Sequence, residues 1–399
     1  MRISGGAIAL FGLWALGCGD DSAVSGGSGG AGGAASQGGA GGAGMLGCDL
    51  EPDVVPTTAT ALTVLGDTGS MNGIFDPSPF YRAGAGAGVM SYSSVAARTD
   101  IHTRVATSDD GGASWTFVAD ANAAQAATVP VTNDPLCAGS CTGTLIHEVS
   151  TLVEDPSDTA ERRYKLFSHR YLVLAGRPEV LRYDIGHLAL QTAPAPEGPW
   201  TASTAAIGWA GTSPFSQANV PTVATDEPEL ADCLLLTEPA ALVVDDTLYL
   251  AAGCANGETL RVVLFSSNDH AATFTYEGVL LEGEDGACLG GDVPAVNGAH
   301  LFELAGEVYL IATPARAFGS GTIYRGCSVM RVADLAGAQV ERTAAGDPAI
   351  VRRFDVDTEG FTGACAYAEG ASAQGYLVPW ADLEAGPAFQ IVPTGLAAP

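Results

Sequence analysis

Residues Ser108–Trp115 read SDDGGASW, with two acids, two glycines, two serines and a closing tryptophan in eight positions. The stretch is either a carboxylate site or a turn that fastens two strands, and local physics favours the turn. An aspartate accepts hydrogen bonds from the N–H groups of a tight turn, glycine supplies a backbone conformation barred to other residues, and the aromatic ring buries itself. The residues before it, His102–Thr107, read as a strand.

The same form, a strand followed by a polar turn and an aromatic or apolar residue, occurs five times. The copies are HTRVATSDDGGASW, HLALQTAPAPEGPW, RVVLFSSNDHAATF, SVMRVADLAGAQV and YLVPWADLEAGPAF, with turns near Ser108, Ala193, Ser267, Asp334 and Asp382. Between them lie short apolar runs bounded by Gly, Pro and Asp, such as DTLYLAAG (Asp246–Gly253) and EVYLIATPA (Glu307–Ala315). Long helical periodicity is absent. This pattern predicts an all-β chain of antiparallel strands closed as a five-bladed β-propeller, with six blades as the alternative.

The opening stretch resembles the Asp-box of sialidase-like propellers, S-x-D-x-G-x-[ST]-W, which Ser108, Asp110, Gly112, Ser114 and Trp115 fill. SNDHAATF is a degraded copy that keeps Ser267, Asp269 and Thr273 but has Ala271 for glycine and Phe274 for tryptophan. The resemblance implies a structural turn at the rim, away from the central channel.

Composition narrows the partners. The chain carries 45 acids against 17 Lys and Arg, and Lys165 is its single lysine. A net charge of −28 repels phosphate backbones and anionic membrane surfaces. Nucleic acid is therefore not an expected partner, and the membrane is expected to be met through a lipid anchor alone. Arg2 and the apolar run AIALFGLWALG (Ala7–Gly17) read as an export leader over residues 1–17, too short to span a bilayer. The ALGC ending resembles a bacterial lipoprotein signal, which implies lipidation at Cys18. Residues 18–47 are rich in Gly, Ala and Ser and read as a flexible tether, and 48–399 as the folded domain.

Without Cys18, eight cysteines remain, an even number that suits disulfides in an oxidising compartment. Cys137–Cys141, Cys233–Cys254, Cys288–Cys327 and Cys48–Cys365 are plausible pairs, although spacing does not fix the connectivity. No metal site is expected from paired Cys-x2-Cys knuckles. No cofactor is required. The acidic run DVDTEG (Asp355–Gly360) offers oxygen ligands for a structural calcium ion.

Channel-lining strands read upstream of the turns carry Asp76 in FDPSPFYR, Glu148 in IHEVSTLVED and Glu238 in TEPAALVVDD. These segments resemble the five-bladed glycosidases of the arabinanase and β-xylosidase type. The resemblance implies Asp76 as general base, Glu148 as a tuning acid and Glu238 as general acid. Two departures are visible, Glu148 where the family has Asp and Glu-Pro where it has Glu-Gly-Pro. His169 and Arg170 (HRY) are expected to bind sugar hydroxyls, and His300 (in NGAH) resembles a family histidine that holds a central ion or water. A second resemblance, to six-bladed sialidases, rests on Tyr81-Arg82 and on Arg98–Asp100, with Arg82 as a candidate substrate clamp.

The expected protein is a monomeric, glycan-directed propeller anchored in the bacterial cell envelope. It acts as a glycoside hydrolase or, alternatively, as a non-catalytic binder of glycan or protein.

Overall fold

The computed structural model describes residues 47–81, 86–97, 99–131, 134–178, 180–208, 228–230, 232–233, 235–256, 258–317, 322–368, 374–382 and 388–397. The leader, most of the tether, Cys18, Arg82 and Arg98 lie outside the described residues.

The strands build five sheets in chain order, numbered I to V here. Sheet I starts at the inner strand Ile74–Tyr81, sheet II at Ser140–Glu154, sheet III at Leu235–Val244 and sheet IV at Val296–Leu304. Sheet V starts at an inner strand broken in two, Phe361–Thr362 and Ala366–Tyr367. From each inner strand the chain steps outward through antiparallel neighbours. Sheets I to IV are complete four-strand blades, and sheet V is three strands deep in its own chain segment.

The core shows that the sheets close on themselves. Separate buried clusters fill each gap: Val105 with Leu152 between I and II, Phe167 with Leu250 between II and III, and Leu264 with Met330 between III and IV. Ile311 with Val378 fills the gap between IV and V, and Met90 with Leu377 fills the last, between V and I. A further cluster draws Phe75, Tyr171, Leu235, Tyr324 and Phe361 from all around the ring to its axis. The architecture is a β-propeller, and no sixth sheet occurs among the described residues.

The N-terminal segment straps the closure. Asp53–Val55 adds in parallel to the outer strand of sheet IV, the Leu62 N–H donates to the Ile391 carbonyl of sheet V at 2.7 Å, and Val64–Leu65 adds to the outer strand of sheet I. Cys48–Cys288 pins the start of this strap and Cys327–Cys365 joins sheets IV and V, while Cys137–Cys141 and Cys233–Cys254 pair as expected. The expected Cys288–Cys327 and Cys48–Cys365 pairs are therefore corrected. Closure brings Cys48, at the head of the strap, to Cys288 between sheets III and IV rather than to Cys365 in sheet V.

Both expected box turns sit between the third and fourth strands, on the outer side of sheets I and III, and share one hydrogen-bond scheme. Asp110 accepts from the Ser114 N–H (2.9 Å) and hydroxyl (2.7 Å), and Asp269 accepts from the Thr273 N–H (2.8 Å) and hydroxyl (2.6 Å). Gly112 N and Ala271 N each donate to the preceding serine hydroxyl at 2.9 Å. Each turn also grips the previous sheet. Gln374 of sheet V donates to the Gly112 carbonyl, and His270 bonds Asp155 of sheet II at 3.0 Å. Asp382 departs from the pattern because it follows the second strand of sheet V rather than the third.

Candidate functional site

Each inner strand carries one residue too many. In sheet I, Phe75 and Ser78 face Ser93 and Ser91; in sheet II, Glu148 and Thr151 face His169 and Phe167; in sheet III, Thr237 and Ala240 face Gly253 and Ala251. Sheet IV slips by one between Gly298 and His300, and sheet V breaks at Ala364. Such bulges bend a strand and re-aim a side chain. Here they force L-residues into left-handed backbone, with φ of 49° at Asp76, 50° at Val149, 48° at Glu238 and 54° at Ala364. That conformation costs about 1–2 kcal/mol per non-glycine residue. Two of the strained positions are the acids of Asp76-Pro77 and Glu238-Pro239. The proline has no N–H to lose, so breaking the ladder there is less costly. Glu148 sits one residue before its strained neighbour.

Bulging also frees backbone N–H groups, and hydroxyls of the neighbouring sheet accept from them. Leu152 N donates to Ser78 Oγ at 2.9 Å, Val149 N to Ser93 Oγ at 3.0 Å, and Ala241 N to Thr151 Oγ1 at 3.1 Å. The hub is therefore rigidly wired as well as strained.

The three expected acids converge on this hub. Asp76, Glu148 and Glu238 are 5%, 4% and 5% exposed. The Ser93 hydroxyl donates to Asp76 at 3.0 Å, Tyr171 donates to Glu148, and Tyr324 donates to Glu238 at 3.1 Å. Asn297 supports Tyr324 at 2.8 Å and also bonds Glu238. No cation faces the trio among the described residues, so burial governs its titration. Burial, then repulsion from Glu148 and Glu238, drives Asp76 well above the ordinary carboxylate range. Burial pushes Glu148 up to about 7 and Glu238 up to about 8, against the pull of the Tyr171 and Tyr324 hydrogen bonds.

A cavity of ≈ 30 Å³ opens beside Glu148 and Glu238, lined also by His169, Thr237, Tyr183 and Tyr324. It has room for about one water molecule. A larger hollow of ≈ 470 Å³ lies between the outer strands of sheets III and IV and holds none of these acids.

His169 is part of the hub. Its Nδ1 lies 3.0 Å from the Thr237 hydroxyl, its ring stacks on Tyr183, and its buried Nε2 has no partner. Burial, then His147, lowers it to about 3, so it is a neutral donor or acceptor. Arg170 follows it on the strand and faces the other side of sheet II, so the two do not act together. His300 is buried against Phe302, with ring centroids 6.0 Å apart, and does not line the cavity. Tyr81 donates to Gln374 at the gap between sheets V and I and packs on Trp115, away from the acids. Among the described residues no arginine lines the cavity; Arg82 and Arg98, on which the sialidase resemblance rests, lie outside them. The acidic run at Asp355–Gly360 is already engaged: Asp355 pairs with Arg325, Asp357 accepts from Thr57, and Glu359 pairs with Arg316.

Sequence reading missed Tyr171, Tyr324, Asn297 and Ser93. Tyr171 and Asn297 lie inside the HRY and NGAH stretches, where the adjacent basic residues drew the assignment.

No family model matches the chain, and no curated protein matches it. Among solved structures, the chain is similar to Zg3597, a family 117 glycoside hydrolase of the marine bacterium Zobellia galactanivorans. That match has a TM-score of 0.46 and 14% identity, over 86% of this chain and 92% of that one. It is also similar to the catalytic domain of the Coprinopsis cinerea GH62 α-L-arabinofuranosidase, with a TM-score of 0.47 and 13% identity over 83% and 93%. A third is the native Bacillus subtilis arabinanase Arb43A, with a TM-score of 0.45 and 10% identity over 79% and 91%.

Proposed function

We propose that the chain is a glycan-directed propeller that hydrolyses a glycosidic bond at its hub, with Glu238 as proton donor. The observation that carries this reading is the placing of three carboxyls, without a counter-cation among the described residues, at or beside strained bulges of three consecutive inner strands. Glycoside hydrolysis needs one protonated and one ionised carboxyl on either side of the scissile bond. Crowding and burial separate the two roles. Burial raises both Glu148 and Glu238, to about 7 and about 8, so near neutral pH the interacting pair holds a charge and a transferable proton between its two members. Asp76 takes its fixed position from Ser93 and the Val149 N–H, but burial and the two glutamates raise it well above the ordinary range. Near neutral pH the ionised carboxyl therefore belongs to the glutamate pair, and these electrostatics do not favour the general-base role that the resemblance implied for Asp76. Glu148 tunes both neighbours through like-charge repulsion. Four disulfides fit an oxidising compartment, and the leader, Cys18 and tether fit an envelope anchor.

The size of the cavity favours a second reading, a propeller that binds glycan on its rim without turnover. At ≈ 30 Å³ the hub does not hold a sugar ring in this conformation. A screen on aryl-glycosides and on arabinan and xylan fragments decides between them. Turnover that Glu238→Gln abolishes supports the hydrolase. Glycan binding with no turnover supports the binder, and turnover that survives the substitution removes Glu238 from the reaction.

A further inference from the structure

Arg170 is a half-buried cation that stands without a counter-ion among the described residues. Carboxylates face cations elsewhere in the fold, as at Arg104, Lys165, Arg182 and Arg342. Arg170 pairs with no carboxylate among the described residues. Its one polar contact there is Nη1 at 3.3 Å from His187 Nε2, and its buried Nε has no partner.

Register places its neighbours. His147 and His187 lie directly opposite Arg170 on the two adjacent strands of sheet II. Directly paired residues share one face, so the three side chains form a row. His147 is 2% exposed, and both of its ring nitrogens are buried without a partner. Arg170 and His187 are half-buried, which leaves a path from solvent.

A guanidinium cannot shed its proton, and burying it unpaired is costly. In a chain with 45 acids and 17 Lys and Arg, leaving it so leaves its donors open to an outside anion. Burial lowers the proton affinity of Arg170, and no carboxylate counters it. Burial and the Arg170 charge hold His147 and His187 at about 3, so both rings are neutral; His187 Nε2 accepts from Arg170 Nη1, which leaves its N–H on Nδ1, and His147 keeps one N–H to give. A fork flanked by neutral donors, with one net positive charge, matches a single oxyanion.

We infer that Arg170, His147 and His187 form an oxyanion-binding site on sheet II, which takes a carboxylate or sulfate group carried by a glycan or free in solution. The site lies on the opposite sheet face from His169 and the hub, and it stands whether or not the hub cleaves a glycan.

Calorimetric titration of the full chain tests this, with sodium sulfate, sodium glucuronate, a galacturonate trisaccharide and neutral glucose at matched ionic strength. At least one oxyanion is expected to bind at about millimolar affinity or tighter, and glucose is not. Arg170→Gln is expected to weaken that binding about tenfold or more, the loss of one charge-assisted hydrogen-bond pair. Arg177→Gln, at an exposed arginine in the connection between Leu174 and Leu181, leaves it unchanged. Tighter binding of the uronates assigns the site to an acidic glycan, and tighter binding of sulfate assigns it to an inorganic anion or a sulfate ester; both support it. His187→Asn gives a smaller loss and serves if the first variant does not fold. In anion-free buffer Arg170→Gln is expected to melt no lower than the wild type. No binding of any oxyanion, or binding that survives both substitutions, overturns the inference. So does a lower melting temperature with affinity intact.

Discussion

Replacing Glu238 by glutamine tests whether the hub trades stability for reactivity. Glutamine keeps the shape and the acceptor oxygen that Tyr324 uses but cannot ionise. The folded-state value of Glu238 is raised to about 8 from the ordinary 4.5. For a raised acid, stability is fully present below the unfolded value and is lost as pH rises through the folded one. The window therefore runs from about 4.5 to about 8. At about 1.4 kcal/mol per unit, wild type gives up less than about 1 kcal/mol by pH 5 and about 4 kcal/mol by pH 8. The variant escapes this loss, so its advantage should grow by about 3 kcal/mol across that range. In a domain of this size that is a rise in melting temperature of roughly 5–10 °C at pH 8 and of roughly 2 °C or less at pH 5. Thermal unfolding of both proteins, followed by circular dichroism from pH 5 to 9, measures it. An advantage that does not change with pH would mean that Glu238 ionises freely, and the proton-donor assignment would fall with it.

Three further outcomes follow from the same contacts. Lys165→Met removes the ammonium that sits 3.1 Å from Asp155 and 2.6 Å from Asp158, both nearly buried; urea denaturation at pH 7 should show a loss of about 3–5 kcal/mol. Burial alone would raise both aspartates, but hydrogen bonds led by Lys165 leave them below the ordinary range, so their stabilisation holds above the unfolded value, fades as pH falls through the folded one, and shrinks in the variant. Gly112→Ala places a methyl group at φ +88° against Tyr81 and Gln374 and should cost about 2–4 kcal/mol, whereas Ala271→Gly in the matching turn stays within about 1 kcal/mol; equal effects in chemical denaturation would show that the two turns are not equivalent. Cys48→Ser with Cys288→Ser opens a 240-residue loop and should cost about 5 kcal/mol in the chain-entropy model, read as a lowered denaturation midpoint.

The fold was legible because its signals are local. A strand ending in a polar turn and an aromatic can be seen within about a dozen residues, and repetition does the rest. The acids were legible for a related reason, since Asp76-Pro77 and Glu238-Pro239 mark the points where an inner strand must break its ladder. Contacts made only by closure were not legible. Cys48 meets Cys288 because the N-terminal strap crosses sheets IV, V and I, and no spacing in the chain encodes that path. Tyr324 and Glu238 lie on neighbouring sheets and are 86 positions apart in sequence. Arg170 and His169 were read together because they are adjacent, yet strand alternation sends them to opposite faces.

The bulges explain why such a site persists despite its cost. An unstrained inner strand would keep its full ladder, and side chains two apart would point alike toward a neighbouring sheet. One extra residue turns the carboxyl into the hub, and the displaced N–H groups are recovered by Ser78, Ser93 and Thr151 from the sheets alongside. The same geometry excludes water, and exclusion of water is what lifts Glu148 and Glu238 toward neutrality. A purely structural carboxyl in that place would be replaced at no loss by glutamine or asparagine, which bury without the ionisation penalty. Three ionisable groups side by side, at a combined cost in strain and desolvation, are the arrangement that the proposed proton transfer would require.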